Sequence, residues 1–293
     1  MAEITKDYLR QRQSLPLEAK VAFSENRIRE FYNQTEGKVY VAFSGGKDST
    51  VLLDIVRSLY PTIPAVFNNT RQDFPEIRSF VNETPNVVKL SPVKKFRQVL
   101  EEDGWPVISK KAAKALNKLQ TLQKDDPMFE TYENLISERW RFLKDAPFKI
   151  SAFCCEALKK RPAKMYEKAT GRAPILGMMA SDSDQRELTY MRRGGCNSYT
   201  RNTGSWPLAI WRERDIWEYI KNRGLPHSSI YDKGYYRTGC MFCLFGIHLD
   251  CGFKGENRIQ TLARTHPKLW EFYLNRTRLG EVMEYMGFPV EPF

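Results

Sequence analysis

Two groups of residues in this 293-residue chain have types and spacings that can do chemistry. The first is Ser44-Gly45-Gly46-Lys47-Asp48-Ser49-Thr50, set between a β-rich segment at 38–43 and the helix-period run Val51, Leu52, Leu53, Ile55, Val56 and Leu59. Two glycines at a strand-to-helix junction let backbone approach an anion in dihedrals other residues avoid, and the helix start adds free amides and a favourable dipole. Lys47 contributes a mobile positive charge. The hydroxyls of Ser44, Ser49 and Thr50 can donate to phosphate oxygens, and Asp48 can cap the helix or help hold a magnesium ion. A tight turn would need only the glycines, so the complete string argues for a phosphate cradle.

The second group is cysteine. Cys154-Cys155 and Cys240-Met241-Phe242-Cys243 can each present two sulfurs, the first at a helix start and the second at a turn. Four thiolates suit an iron-sulfur cluster or zinc, whereas either pair alone would pass as buried free thiols. Cys196 follows Arg192-Arg193-Gly194-Gly195, and that positive charge is expected to favour its thiolate. It is a candidate catalytic persulfide carrier, with an ordinary loop thiol as the alternative. Cys251 has no assigned role, and His227, His248 and His266 show no zinc spacing.

Elements must place these residues. Strands are expected at 38–43, 63–67, 87–90 and 174–179, with a fifth segment at 206–210, and helical patterns lie between them. That alternation predicts an α/β fold with a parallel twisted sheet and helices on both faces. The end of the second strand, with Asn68 and Thr70, is expected to line the nucleotide site. The reading divides the chain into a helical lead-in at 1–36, an α/β domain at 37–250 carrying a helical insertion at about 94–150, and a helical tail at 251–293. The insertion sets Lys110, Lys111, Lys114 and Lys118 largely on one helix face, either as a solvated surface or as an anion-tracking one.

Composition bounds the partners. With 42% hydrophobic and 28% charged residues the chain is globular, and its net charge of +11 points to a polyanion. Arg139-Trp140-Arg141-Phe142 and Tyr190-Met191-Arg192-Arg193 mix aromatic and basic residues, as single-strand binders do. The cysteine spacing is not a secreted disulfide pattern, the start lacks an apolar signal core, and no apolar run approaches the roughly 20 residues that span a bilayer. A cytoplasmic location without membrane association is the expectation.

The loop is neither Gly-x-x-x-x-Gly-Lys-Ser/Thr nor Gly-x-Gly-x-x-Gly. It resembles the PP-loop ATP pyrophosphatases, with their adenine nucleotide alpha hydrolase-like fold, which bind ATP through Ser-Gly-Gly-x-Asp-Ser and cleave between the α- and β-phosphates. That resemblance implies ATP and magnesium as ligands, with adenylation and departing pyrophosphate. The cysteine spacing is similar to the four-iron four-sulfur ([4Fe-4S]) site of adenylylsulfate reductases. Trp206-Pro207-Leu208, Asp215-Ile216-Trp217-Glu218-Tyr219-Ile220, Leu225-Pro226-His227, Tyr231-Asp232-Lys233-Gly234-Tyr235 and Thr238-Gly239-Cys240 resemble the same stretch of phosphoadenylylsulfate reductases.

Two departures separate the chain from those reductases. They carry a late Glu-Cys-Gly-Leu-His segment, whereas no cysteine follows Cys251 here. They also carry a degenerate phosphate loop and an Arg-rich stretch after the fourth strand. Here the loop is intact, Met178-Met179 occupies that stretch, and Arg186 alone matches its downstream arginine as a nucleotide ligand. An intact ATP loop joined to such cysteines resembles DNA phosphorothioation enzymes and, more distantly, enzymes that thiolate tRNA. The resemblance implies adenylation of an acceptor, DNA or tRNA among the candidates, followed by sulfur transfer, with a sulfur-donor or electron-donor protein as partner. Reduction of a sulfonucleotide and nucleotide-gated binding without turnover are the alternatives.

Overall fold

A computed structural model describes residues 4–200, 203–252 and 255–292; residues 1–3 of the expected lead-in and 253, 254 and 293 of the tail lie outside them. In chain order the N-terminal half carries α1 (Lys6–Gln13), α2 (Leu17–Gln34), β1 (Val39–Ala42), α3 (Lys47–Leu59), β2 (Ala65–Asn68), α4 (Pro75–Glu83) and β3 (Val87–Leu90). The insertion holds α5 (Phe96–Glu102), β4 (Val107–Ile108), α6 (Lys110–Leu119), α7 (Phe129–Glu133) and a 3-10 turn at Glu138–Asp145, and a π-helical turn at Glu156–Lys160 follows it. Then come α8 (Arg161–Thr170), β5 (Ala173–Leu176), α9 (Asp184–Arg193), β6 (Asn197–Ser198), β7 (Gly204–Ser205) and α10 (Glu213–Arg223). The C-terminal part has β8 (Leu244–Phe245), α11 (Arg258–Thr265), α12 (Pro267–Arg276) and α13 (Leu279–Tyr285).

The chain divides into two units. The first comprises Met1–Asn68, Pro75–Leu90 and Ala163–Thr238, and contains a six-stranded sheet of order β3-β2-β1-β5-β7-β6. Val39, Tyr40 and Val41 are all buried although successive strand residues face opposite ways, so β1 is covered on both faces, as parallel central strands are. Register is set by Val41 opposite Ala65 on one side and Ile175 on the other. The next strand from β1 lies on one side as β2 and on the other as β5, so the sheet changes direction between β1 and β5. Open α/β sheets leave a ligand crevice at that position, beyond the carboxyl ends of the strands. α3 starts there and buries Val51, Leu52, Leu53, Ile55 and Val56, each worth about 1.5–3 kcal/mol when fully covered.

Two expectations are corrected in this unit. The segment 206–210 is a buried turn rather than a strand, and the strand is the preceding Gly204–Ser205. Pro207 has no N–H to give a ladder, and the turn closes instead through Ala209 N–H to the Trp206 carbonyl at 3.0 Å. The sheet is also not wholly parallel, because β6 runs antiparallel to β7 at the edge. Away from the sheet, Lys20 Nζ bonds Asp215 Oδ2 at 2.6 Å with both side chains buried, which ties α2 to α10. Pro16 ends α1 and caps α2 at φ −62°, the value its ring imposes.

The second unit comprises Asn69–Phe74, Ser91–Pro162 and Gly239–Phe293. Its helices close over Leu116, Leu143, Ile150, Phe242, Leu244, Ile259, Leu262 and Val282. The insertion is helical as expected but contains β4, which pairs in parallel with β8. On α6 the buried residues are Ala112, Ala113, Ala115, Leu116 and Leu119, while Lys110, Lys111, Lys114 and Lys118 are exposed, so the predicted lysine face exists. Among the described residues no helix is long and apolar enough to cross a membrane.

Candidate functional site

In the first unit the glycine loop is built for close approach, and its two glycines are required for different reasons. Gly45 sits at φ +73°, and a Cβ there would meet Val81 Cγ2 at 2.8 Å. Gly46 has an ordinary φ of −84°, but a Cβ would meet Thr238 Oγ1 at 2.6 Å and the Tyr231 hydroxyl at 3.2 Å. Gly177, just after β5, leaves room for the start of α3: its Cβ would lie 3.0 Å from the Asp48 carbonyl oxygen. Thus the switch point between β1 and β5 is lined by backbone.

Ser44 and Ser49 hydroxyls lie 3.1 Å apart, and the Ser44 N–H donates to Ser49 Oγ at 3.1 Å. Ser49 and Thr50 donate to the Gly46 carbonyl at 2.8 and 3.1 Å, so both hydroxyls fasten the loop to the first turn of α3. Ser44 is the exposed member. The Lys47 N–H donates to the Tyr231 hydroxyl at 2.8 Å. Lys47 is itself buried; its ammonium donates to the Tyr236 carbonyl at 3.2 Å, pairs with Glu213 at 3.3 Å and Asp48 at 3.5 Å, and lies 5.6 Å from the Tyr231 ring centre.

Two oxygens of this unit are buried short of a full hydrogen bond: Asn68 Oδ1 at the end of β2, and Asp48 Oδ1, which the Lys47 ammonium approaches to 3.5 Å. Burial pushes the Asp48 carboxyl above the ordinary carboxylate range despite the opposing charge of Lys47. Orphaned acceptors of this kind are costly, and they fit a cation or donor-bearing ligand. Arg186, on α9, pairs with the Asp182 carboxylate, and its charge reaches Asp48. Arg237, unremarked in the sequence, donates to the Asp182 carbonyl at 3.2 Å, and its charge together with burial lowers the Arg186 pKa. Two guanidiniums therefore share one acidic residue.

The cysteines form a second group, wholly inside the second unit. Backbone bonds from the Trp105 N–H to the Lys149 carbonyl (2.8 Å) and from the Ser151 N–H to the Trp105 carbonyl (3.0 Å) lead the chain into the helix start at Cys154-Cys155. The Met241 N–H donates to the Gln72 carbonyl at 2.9 Å, and the Cys243 N–H to the Cys240 carbonyl at 3.1 Å, so the Cys-x-x-Cys turn is pinned to the 69–74 segment. Cys154 and Cys155 share a hydrogen bond, and Cys154 lies within electrostatic reach of Cys240 and Cys243. The sequence pairs are thereby brought together.

Cys155 is the acidic thiol of this set, lowered to about 6 by its bond from Cys154 and by Lys110, Lys159 and Lys160. Burial pushes the Cys243 thiol up to about 11 and also raises Cys240. Lys159, in the π-helical turn, is held charged chiefly by Cys240 and also by Asp73, Cys155 and Cys243. A single zinc holds its sulfurs about 3.8 Å apart, from bonds of about 2.3 Å. Among the described residues no three or more His, Cys, Asp or Glu groups are placed to hold a metal ion.

Two of the sequence-assigned residues have surroundings that the sequence did not indicate. Thr70 falls in the second unit, where its hydroxyl donates to Asp73 Oδ2 at 2.9 Å and it hydrogen-bonds Cys240, so it is a neighbour of the cysteines. Cys196 is buried and its thiol is pushed up to about 12, because burial outweighs the nearby charges of Arg27 and Arg193. Arg193 is spent on the Gly204 carbonyl at 2.7 Å and on the Trp206 ring at 4.5 Å. The expected thiolate is therefore corrected: this thiol is protonated at neutral pH. Sequence reasoning also missed Lys159 and Arg237, and the only signal for either was its nearness in sequence to a cysteine motif.

Comparison with known proteins matches the model of the phosphoadenosine phosphosulfate reductase domain to residues 38–244. An uncharacterized protein of Methanocaldococcus jannaschii is 27% identical over 85% of this chain and 52% of its own length. The chain spans about half the length of the curated relatives of that kind. An adenosine 5'-phosphosulfate reductase of Lysinibacillus sphaericus is 25% identical over 74% of this chain and 77% of that protein. The crystal structure of a phosphoadenylyl-sulfate reductase from Candida auris, a phosphate complex, aligns with 15% identity and a TM-score of 0.45 over 82% of this chain and 97% of that one. The matched domain spans well over half the chain and includes both the 44–50 loop and all four clustered cysteines, so the chain belongs to the phosphoadenosine phosphosulfate reductase domain family.

Proposed function

We propose that the protein is an ATP-dependent adenylating enzyme that activates an acceptor oxygen for sulfur transfer, with nucleic acid as the acceptor class. The observation that carries this reading is the intact loop with buried Lys47 paired to Asp48 Oδ1, in a unit where Asn68 Oδ1 is buried without a hydrogen-bond partner. Attack of the acceptor oxygen on the α-phosphorus of ATP would expel pyrophosphate and leave AMP on the acceptor. Lys47, immobilised by Tyr236 and Glu213, is already oriented and needs little rearrangement to stabilise charge on the departing pyrophosphate. Arg186 and Arg237 add donors at the rim of the same unit. Asp48 is the residue that would hold magnesium, which when bound neutralises phosphate charge.

Cys154, Cys155, Cys240 and Cys243 would hold a [4Fe-4S] cluster, which when bound can supply sulfur or electrons or brace the unit. Lys159 would balance the thiolate charge. A sulfur donor would then displace AMP. Incubation with ATP and magnesium should give AMP and pyrophosphate in a reaction lost in Lys47→Ala; ADP as the product would refute adenylation.

A second reading is reduction of a sulfonucleotide. It is favoured by the relatives bearing reductase names and by the same four cysteines. Sulfite released from adenylylsulfate by reduced thioredoxin would establish it over the first.

A further inference from the structure

The four lysines of α6 break the rules by which a helix is stabilised. Lys110 and Lys111 stand in its first turn, where the helix dipole disfavours positive charge, and that turn contains no acidic residue. Lys110 with Lys114, and Lys114 with Lys118, are like-charge pairs at i,i+4, which repel. Several cations elsewhere in this unit are matched, among them Lys94 to Glu102 and Asp103, Lys144 to Glu133, Arg258 to Asp250 and Arg264 to Glu256, whereas on α6 four unmatched ones stand on a single face. None of the α6 lysines has an ion pair among the described residues, and all four are exposed. A solvated helix face would ordinarily interleave acids, as α5 does with Arg97 and Glu101. A face this costly to keep is explained by a negatively charged partner that lies along it.

The spacing fits such a partner. Lys110 opens the row at the start of α6. Lys114 and Lys118 then follow at steps of four residues, about 6 Å each along the helix axis. Evenly spaced point charges without acids between them suit a repeating anion, and a phosphodiester chain is one.

We propose that the exposed face of α6 is a backbone-tracking surface for a single strand of nucleic acid. Lysines read phosphate rather than base edges, so binding is tolerant of sequence. The inference deepens the acceptor class of the proposed function and does not need the adenylation step.

The test uses the full chain and fluorescent 20-nucleotide single-stranded RNA and DNA, with duplexes of the same sequence and phosphatidylserine vesicles as comparison. Binding is measured across salt for the parent protein and for the triple substitution Lys111→Gln, Lys114→Gln, Lys118→Gln. Each phosphate contact on a single strand contributes about −0.7 to the slope of log affinity against log salt, so losing three lowers the slope by about 2. At about 0.1 M salt that is a loss of roughly 100-fold. The triple Lys→Arg substitution should retain binding. Removing repulsion should also leave the melting temperature of the Gln variant equal or higher, which separates lost contacts from lost folding.

No strand binding by the parent, an unchanged salt slope in the Gln variant, or preference for duplex or vesicle over single strand overturns the proposal. An ATP assay run beside it separates the two readings. Strand binding without AMP formation refutes adenylation alone. AMP formation with an unaltered slope in the variant refutes the α6 surface alone.

Discussion

Gly46→Ala isolates packing at the loop from backbone strain. Gly46 has φ −84°, which alanine adopts freely, so any cost comes from the added methyl and from the helix start. That methyl would sit 2.6 Å from Thr238 Oγ1, 3.2 Å from the Tyr231 hydroxyl and 3.3 Å from Ser44 Oγ. Overpacking of this kind costs about 1–3 kcal/mol. Moving the Tyr231 hydroxyl away would also forfeit its 2.8 Å bond from the Lys47 N–H, about 1 kcal/mol more. A total near 3 kcal/mol lowers the melting temperature by roughly 6–12 °C in a domain of this size.

The nearest atom is a side-chain hydroxyl, so Thr238→Ala in the same chain should recover about 1 kcal/mol or more of the loss, a coupling measurable by a double-mutant cycle. Thermal denaturation of the four proteins, with ATP turnover measured on each, supplies the data. A neutral Gly46→Ala, or a double variant whose losses simply add, would refute the reasoning. Gly45→Ala is the control: at φ +73°, with its contacts on the Val81 and Ile77 methyls, Thr238→Ala should not rescue it.

Asp48→Asn should raise the melting temperature of nucleotide-free protein at pH 7 while abolishing magnesium-dependent turnover. Its folded pKa is raised by burial, so the stability it contributes is present below about pH 4 and lost as pH rises through the folded value; no gain at pH 7 would contradict this. Cys196 should resist iodoacetamide in native protein at pH 8 while exposed Cys251 is alkylated, as peptide mass spectrometry would show. Because the Cys196 thiol is pushed up to about 12, unfolding free energy should fall above about pH 8.5, by up to about 1.4 kcal/mol per pH unit. That slope should vanish in Cys196→Ala. Lys159→Met should lower the iron retained by anaerobically purified protein and Lys159→Arg should keep it, with Cys240→Ser as the reference for loss; equal iron in all three would refute the charge-balancing role.

What the sequence revealed and what it hid follow from the range of the interactions involved. β1, the glycine loop and α3 were legible because each is a local pattern: alternation, a glycine pair, then a helical period that Val51, Leu52, Ile55 and Val56 satisfy by burial. The lysine face of α6 was legible for the same reason. The segment 206–210 was misjudged because apolar residues in a buried turn carry the same composition as a strand, and only the missing N–H of Pro207 argues otherwise. The charge state of Cys196 was misjudged because Arg192 and Arg193 are near it in sequence, whereas desolvation depends on everything packed around it.

Thr70 shows why site membership is harder to read than site chemistry. It lies two residues past Asn68, and strand ends in α/β sheets ordinarily serve the nucleotide. Yet the chain passes from one unit to the other between Asn68 and Asn69, and the contacts described for the two residues differ. Asn68 keeps a buried oxygen without a hydrogen-bond partner in the loop unit, and Thr70 bonds Asp73 and Cys240 in the cysteine unit. The two substitutions should therefore separate in their effects. Asn68→Ala should weaken ATP binding and leave iron content unchanged, while Thr70→Val, which keeps the shape and removes the hydroxyl, should leave ATP binding intact and lower iron retention. Loss of ATP binding in Thr70→Val would return that residue to the nucleotide site and undo the assignment to the cysteines.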